Sequence, residues 1–163
     1  MYIQYSVIKF IAVGKLKEKY WKDAFQEYSK RLTKYSKVEL VEIDEEKIAV
    51  ENDSMMKISK DKEGERILKK ISNNDYVILF DVQGNHLDSV ELAKRIQGLI
   101  DKGHANLCFV LGGSYGFSDV VYERAQAKIS MSKMTFPHQF ARIMAIEQVY
   151  RAYKINNNEK YHK

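Results

Sequence analysis

The sequence predicts an α/β fold with a mostly parallel open sheet and helices on both faces, formed by residues 1–163 as a single domain. Short apolar runs alternate with amphipathic segments along the whole chain, and this alternation is typical of strand–helix–strand units. The 163 residues match the usual length of one domain, and 45 % hydrophobic with 30 % charged residues indicates a chain that folds around a core. Its apolar runs are too short to cross a bilayer.

Residue spacing predicts the elements of the first half. Residues 7–13 (VIKFIAV) are apolar and β-branched, which predicts a strand buried on both faces. Apolar side chains recur every three or four residues over 15–35, and this spacing indicates an amphipathic helix. Strict alternation at 38–43 (VELVEI) predicts a second strand near an edge of the sheet. Residues 44–62 show no period, so we expect a long loop that leads into a helix over 63–72.

The second half begins with another strand and helix. The apolar run at 75–82 (DYVILFDV) predicts a central parallel strand that ends before Gly84. Asp88, followed three residues later by Glu91, forms a capping box for a helix through residue 101. Gly103 supplies the C′ position of that helix.

The same unit then repeats toward the C-terminus. Residues 106–111 (NLCFVL) predict a buried strand, and a helix capped by Ser118 and reaching residue 127 is expected after the glycine-rich segment GGSYG. Residues 128–132 predict a short last strand. Pro137 then opens a long helix over 138–155, because proline is tolerated in the first helical turn.

Charge and cysteine content limit the classes of function. Lys and Arg number 27 against 22 Asp and Glu, and the net charge of +5 favours a polyanionic partner. Cys108 is the single cysteine, which excludes an intrachain disulfide and a cysteine-based zinc site. The first ten residues lack the basic and apolar segments of a secretion signal, so we expect a cytoplasmic protein. The four histidines show no metal-binding spacing such as H-E-x-x-H, and we expect no metal.

The ligand of an open α/β sheet lies beyond the carboxyl ends of its strands, so the loops after residues 82, 111 and 132 form the expected site. The second loop, GGSYG at 112–116, departs from the dinucleotide fingerprint G-x-G-x-x-G, and the phosphate-binding motif G-x-x-x-x-G-K-[ST] is absent. These observations disfavour a nucleotide phosphate cradle.

Ser114 raises the alternative of a small α/β hydrolase. Gly112 and Gly116 flank it with the G-x-S-x-G spacing of a nucleophile elbow, after a predicted strand and before a predicted helix. A catalytic triad would also need a downstream histidine, and His138 and His162 are the only two. Both occupy awkward positions, at a helix start and at the C-terminus.

Five segments closely resemble a known family: VGKLKEKYW, FVLGGSYG, SKMTFPHQ, EQVYRAYKI and the C-terminal YHK. They are similar to the ribosomal large subunit pseudouridine methyltransferase H family. Its proteins are small members of the SPOUT class of RNA methyltransferases. The resemblance spans residues 13–163. It implies a C-terminal deep trefoil knot, a homodimer, S-adenosylmethionine as methyl donor, and methylation of N3 of a pseudouridine in helix 69 of 23S rRNA within the assembled 70S ribosome.

The resemblance also implies the residues of the cofactor pocket, whereas the chemistry of proton loss and the excess of Lys and Arg in the first helix and its flanks indicate the other candidates. The adenosylmethionine pocket would be lined by Phe80, Gly112, Met131, Ser132, Lys133, Met134, Thr135 and Phe136, and family members more often carry leucine where Phe80 stands. Candidates for assisting loss of the acceptor proton are the catalytic set of His162, Tyr161, His138 and Arg142. RNA phosphates would be bound by Lys15, Lys17, Lys22 and Lys163.

Two further expectations concern partners. The last helix offers a dimer face through Phe140, Ile143, Met144, Val149 and Tyr150, although these residues could equally fill the core of the monomer. A noncatalytic RNA-binding module of the same fold is the alternative from a different class. Such a module would keep the basic first helix and lack the cofactor pocket.

Overall fold

A computed structural model describes residues 6–163 as five strands and five helices in alternation. The strands are β1 (Val7–Val13), β2 (Lys37–Ile43), β3 (Tyr76–His86), β4 (Asn106–Leu111) and β5 (Ala127–Ser130). The helices are α1 (Lys19–Leu32), α2 (Asp53–Leu68), α3 (Ser89–Asp101), α4 (Asp119–Arg124) and α5 (His138–Asn156). The expectation that residues 1–10 form no secretion signal falls partly on residues 1–5, which lie outside the described residues.

The five strands form one sheet in the order β2-β1-β4-β3-β5, and each neighbouring pair is parallel. This confirms the predicted α/β class, and β2 lies at an edge as its alternating pattern predicts. Side chains of β1 alternate between two cores: Ile8 and Phe10 pack with α1, α3 and α5, whereas Ile11 and Val13 pack with α2 and α4. The helices therefore cover both faces of the sheet.

A buried ion pair explains a lysine within the apolar strand β1. Lys9 is 9 % exposed, and its Nζ donates to Asp75 Oδ2 at 2.8 Å and to the Lys70 carbonyl at 3.0 Å. Asp75 also accepts a hydrogen bond from the Ser72 amide at 2.8 Å. The pair joins β1 to the turn before β3, and its hydrogen bonds compensate for the removal of both charges from water.

Helix α1 is shorter than the predicted span of residues 15–35. Residues 15–18 form a loop in which side chains, rather than helical carbonyls, satisfy the backbone. The Leu16 amide donates to Glu42 Oε2 at 2.9 Å, and the Lys17 amide donates to Gln139 Oε1 at 2.8 Å. The apolar period continues through Leu16 because its side chain is buried, although its backbone is not helical.

The prediction for residues 44–72 is wrong, because α2 begins at Asp53 and ends at Leu68. The residues that α2 buries are Ser59, Glu63, Gly64 and Ile67, of which only Ile67 is a large apolar residue. Such a buried face leaves no hydrophobic period in the sequence. The Asn52 side chain accepts from the Met55 amide and marks the true start of the helix.

Strand β3 continues past Gly84, where the sequence predicts its end. Ile129 of β5 lies opposite both Phe80 and Asn85, so β3 leaves the register after Phe80 and rejoins it at Asn85. A Cβ on Gly84 would lie 2.6 Å from the Ile129 backbone nitrogen. Here glycine allows two backbones to approach closely rather than ending a strand.

The bounds of α4 and β5 also differ from those predicted. Helix α4 ends at Arg124, and β5 covers Ala127–Ser130 instead of 128–132. Ser118 holds the N-cap position of α4 as predicted, but its Oγ forms no capping hydrogen bond, because it is buried against Gly64 of α2. The capping box of α3 and the start of α5 at His138 agree with prediction.

Candidate functional site

A cavity of about 360 Å³ lies at the carboxyl ends of β1 and β4, beside the middle of β3 at residues 80–82. Its walls come from the strand ends, the glycine loop (residues 112–116), the segment 131–136 after β5 and the first turns of α5. The position agrees with the rule that parallel sheets bind ligands beyond the carboxyl ends of their strands. The volume lies within the range of about 300–1,000 Å³ that is typical of small-molecule pockets.

The residues expected to bind the cofactor lie together in this wall, with one exception. Those that line the cavity are Phe80, Gly112, Met131, Ser132, Met134, Thr135 and Phe136. Lys133 is exposed and does not line it. Phe80 stacks on Phe109 with ring centroids 5.8 Å apart, so a buried aromatic stack holds this wall in place.

The glycine loop leaves little room for side chains at two positions. A Cβ on Gly112 would lie 3.0 Å from the Phe117 ring, and a Cβ on Gly113 would lie 2.6 Å from Glu63 Oε1. Gly116 has φ +85°, a conformation that glycine adopts without strain. The loop therefore follows the buried surface beneath it closely and presents its backbone to the cavity.

Glu63 supports this loop from below, and sequence analysis did not identify it. The side chain is buried, and burial raises the pKa of its carboxyl. Its Oε2 accepts from the Glu46 amide at 3.0 Å. The sequence offered one signal, a charged residue beside Gly64 on the face of α2 that is buried, but only the tertiary fold shows that face to be buried.

Ser114 and His138 meet at the edge of the cavity, with Oγ and Nε2 separated by 3.3 Å. This pair tests the hydrolase alternative directly. Among the described residues, no carboxylate forms a hydrogen bond with His138 to orient its imidazole. The pair therefore lacks the third member that a Ser-His-Asp triad requires.

The four predicted catalytic residues separate into two groups. His138 and Arg142 line the cavity from the start of α5, and Arg142 is only 2 % exposed. Tyr161 and His162 do not line it. They contact Arg151, nine positions after Arg142 and thus about 13 Å further along the helix.

The C-terminal tail (residues 159–163) is packed against α5, so a structural role can be assigned to part of it. The Tyr161 ring lies edge-on to Tyr150 at 4.9 Å, and its hydroxyl donates to Glu147 Oε1 at 3.1 Å. Burial raises the pKa of the Tyr161 phenol. His162 Nδ1 lies 3.1 Å from Arg151 Nη1.

The lysines expected to bind RNA are exposed. Lys15 and Lys17 lie in the loop before α1 and Lys22 in its first turn, whereas Lys163 ends the tail. Within residues 6–163, none of these four side chains forms an ion pair with a carboxylate. Two cations of α1 are paired, Lys19 with Asp23 and Arg31 with Glu27, and Lys34 just after α1 pairs with Glu159.

A second cavity of about 450 Å³ shares Phe80 and Met131 with the first. Phe140, Ile143 and Met144 of the expected dimer face line it, and Phe140 is 40 % exposed. The other two residues of that expected face, Val149 and Tyr150, are buried in the core of the monomer and are not available to a partner.

Two features are not found in the part of the chain that the structure describes. Its His, Cys, Asp and Glu side chains form no group of three or more that could hold a metal ion. None of its helices is long and apolar enough to span a membrane.

Comparison with known proteins adds the following similarities. Residues 7–162 match the family model described as "Predicted SPOUT methyltransferase". The chain is 52 % identical to a ribosomal RNA large subunit methyltransferase H from Clostridioides difficile (strain 630), covering 96 % of this chain and 99 % of that protein. The protein of the same name from Bacillus pumilus (strain SAFR-032) is 50 % identical with the same coverage.

The fold is also similar to a solved structure, a probable methylase family protein from Haemophilus influenzae Rd KW20. The TM-score is 0.52 with 11 % sequence identity, over 97 % of this chain and 69 % of that one. At this identity the likeness supports the fold alone.

Proposed function

Because the chain belongs to the SPOUT methyltransferase family, we propose that it transfers a methyl group from S-adenosylmethionine to large-subunit ribosomal RNA. The observation that carries this proposal is the sequence identity of 50–52 % with proteins named ribosomal RNA large subunit methyltransferase H, over 96 % of the chain. The cavity at the sheet edge supports it, since it has the size of a small-molecule site. Membership also implies the trefoil knot.

The cavity residues fit S-adenosylmethionine. Phe80, Leu111, Met131 and Phe136 offer apolar and aromatic walls that suit an adenine ring. The glycine loop offers backbone donors and acceptors, because Gly112, Gly113 and Gly116 line the cavity without side chains. Asp81 supplies a carboxylate in the wall, which suits a ligand that carries positive charge.

When bound, S-adenosylmethionine would supply an electrophilic methyl group on its sulfonium. The thioether that leaves needs no proton. The protein therefore has to orient the acceptor and exclude water. The apolar walls serve to exclude water. His138 and Arg142, which line the same cavity, are placed to act on the acceptor: the imidazole can accept a proton, and the guanidinium favours the anion that remains.

We further propose that Tyr161 and His162 act on the acceptor base of the neighbouring subunit in a homodimer. They lie outside the cavity of their own subunit, which suits a contribution to a second copy. The exposed Phe140, with Ile143 and Met144, forms the candidate dimer face. Lys15, Lys17, Lys22 and Lys163 then bind phosphates of the RNA.

The proposed acceptor is N3 of a pseudouridine in helix 69 of 23S rRNA, modified in the assembled 70S ribosome in the cytoplasm. Mass spectrometry of rRNA fragments from cells with and without this gene tests the base and the position. Loss of one methyl group from a helix 69 fragment, restored by the purified protein on ribosomes but not on free rRNA, is expected. An unchanged fragment would overturn this acceptor.

Titration calorimetry with S-adenosylmethionine separates the enzyme from a noncatalytic RNA-binding module. The enzyme should bind it with a dissociation constant in the micromolar range that is common for small cofactors. A protein that binds ribosomes but shows no heat with S-adenosylmethionine would be the module instead.

A further inference from the structure

Arg142 has the largest fully buried side chain of the described residues, and it lines the cavity. Its Nη1 donates to Glu42 Oε2 at 2.5 Å, and its Nη2 donates to the Gly14 carbonyl at 3.1 Å. Within residues 6–163, its Nε has no hydrogen-bond partner although it is buried. Because this nitrogen is shielded from solvent, the guanidinium would act on a ligand in the cavity through its charge rather than through an exposed N–H.

Glu42 makes this buried cation possible. It lies near the end of the edge strand β2, is 30 % exposed, and does not itself line the cavity. Removing a guanidinium from water without a counter-ion is strongly unfavourable, and Glu42 is the carboxylate paired with Arg142. Its influence on the cavity therefore passes through Arg142.

Glu42 also fixes the loop before α1. The same Oε2 accepts the Leu16 amide at 2.9 Å, and the Gly14 amide donates to the neighbouring Ile43 carbonyl at 2.8 Å. Because Arg142 holds the Gly14 carbonyl, one carboxylate joins three segments: β2, the loop of residues 14–17 and α5. Two of these contacts link residues 100 and 128 positions apart in the sequence.

We propose that Glu42 is a positioning residue that holds the Arg142 guanidinium in the cavity wall, where its positive charge acts on a carbonyl oxygen of the acceptor base. This inference rests on the proposed methyl transfer. The acceptor nitrogen gives up its proton to a base or to water, and its electron pair forms the bond to the methyl carbon. The carbon–sulfur bonding pair stays on the leaving thioether. Arg142 stabilises the negative charge that the carbonyl oxygen carries while the nitrogen is deprotonated.

The first experiment measures single-turnover methylation of ribosomes from cells that lack the gene, as a function of pH. Glu42→Ala should slow the reaction by about tenfold or more and move the pH of half-maximal rate upward, because the acceptor must then lose its proton without help. Asp81 and His138 are the other titratable groups in the cavity wall, and both are unchanged in this variant. Glu42→Gln keeps an oxygen for Arg142 and Leu16 but removes the counter-charge, so it should recover only part of the rate.

Glu46→Ala is the matched control. Glu46 is 24 % exposed and pairs with Arg66 at 2.6 Å, but it lies outside the cavity wall. This variant should keep the wild-type rate and pH profile. Affinity for S-adenosylmethionine should stay within about threefold in all three variants, since groups that act on the transition state leave ground-state binding unchanged.

A second measurement does not depend on activity. Amide hydrogen exchange at Leu16 should be faster in Glu42→Ala and protected in Glu42→Gln and Glu46→Ala. An unchanged Leu16 amide, a wild-type rate in Glu42→Ala, or a slower rate with an unshifted pH profile would each overturn the role of Glu42. If wild-type protein leaves ribosomes unmethylated, the proposed function is overturned, and with it the catalytic part of this inference. Exchange at the Leu16 amide would still show whether Glu42 holds the loop before α1.

Discussion

At the scale of single residues, Gly84 shows how closely two strands approach in this fold. A Cβ at this position would lie 2.6 Å from the Ile129 nitrogen and 2.7 Å from the Lys128 carbonyl carbon. Both are backbone atoms, which cannot rotate away as a side chain end can. The contact lies where the register between β3 and β5 shifts, close to Phe80 and Met131 of the cavity wall.

We expect Gly84→Ala to destabilise the protein by roughly 2 kcal/mol, the usual cost of forcing a methyl group into a packed interior. For a chain of this length that corresponds to a fall of roughly 4–8 °C in Tm. Gly98→Ala is the control, because its Cβ would meet no atom within 4 Å and alanine favours helix α3 by up to about 1 kcal/mol. Thermal unfolding of both variants checks this, and equal Tm values would contradict it.

At the scale of elements, Glu159 anchors the start of the tail to two helices. Its carboxylate accepts from Lys154 of α5 at 2.8 Å, and from Lys34 at 2.9 Å and Tyr35 at 2.6 Å just after α1. Hydrogen bonds from Lys154, Tyr35 and Lys34 lower the pKa of Glu159 to about 2. The tail is thus ordered by contacts that no local sequence pattern contains.

A lowered carboxyl pKa stabilises the folded state at pH values above the unfolded pKa of about 4.5, and this contribution disappears as the pH falls from there to about 2. Glu159→Gln should therefore lower Tm at pH 7 and converge with the wild type near pH 2. The difference should shrink in 0.5 M salt, because the group is partly exposed to solvent. Tm measured over pH 2–7 checks this. A constant difference across that range would contradict it.

The tail itself divides into a packed residue and an exposed one. His162 is exposed, whereas Tyr161 contacts Tyr150, Arg151 and Glu147. Removal of residues 161–163 should abolish methyl transfer while S-adenosylmethionine affinity stays within a few-fold, because none of them lines the cavity of its own subunit.

His162→Ala separates the two roles, since it keeps the Tyr161 packing. We expect it to lose most of the turnover with an unchanged Tm. Single-turnover rates and thermal unfolding check both statements. A normal rate in the truncated protein would leave His138 and Arg142 as the candidate residues that act on the acceptor base.

At the scale of the whole molecule, unpaired lysines lie on the same side as the cavity. Lys15 and Lys17 belong to the loop that Glu42 and Gln139 hold against the start of α5. RNA phosphates bound there would lie near the acceptor site, and the release of their counter-ions would make binding dependent on salt.

Charge reversal at Lys15, Lys17 and Lys22 should weaken ribosome binding and flatten the slope of log Kd against log salt by roughly 0.7–0.9 for each lysine that contacts a phosphate. Reversal of Lys69, Lys70 and Lys102 is the control, because it changes the net charge by the same amount. These exposed lysines follow the ends of α2 and α3 and lie near the amino ends of the strands, away from the cavity. Affinity for S-adenosylmethionine should not change. Equal slopes in both triple variants would show that only net charge matters.

The sequence by itself determined the elements whose signals are local. Apolar runs predicted β1 and β4, because a strand covered on both faces consists mainly of apolar residues, and the capping box of Asp88 with Glu91 predicted the start of α3. The location of the site was likewise predictable, because parallel strands bring their carboxyl ends together, but the loop predicted after residue 82 is replaced by the continuation of β3 to His86.

Only the tertiary structure decided the groups that meet across the chain. Helix α2 buries Ser59, Glu63 and Gly64, so its inner face has no apolar period to detect. The pairing of Glu42 with Arg142, and the separation of Tyr161 from His138, depend on which segments the sheet order brings together. A residue pattern reports burial within a few turns, whereas contacts over 100 residues are set by how strands and helices pack.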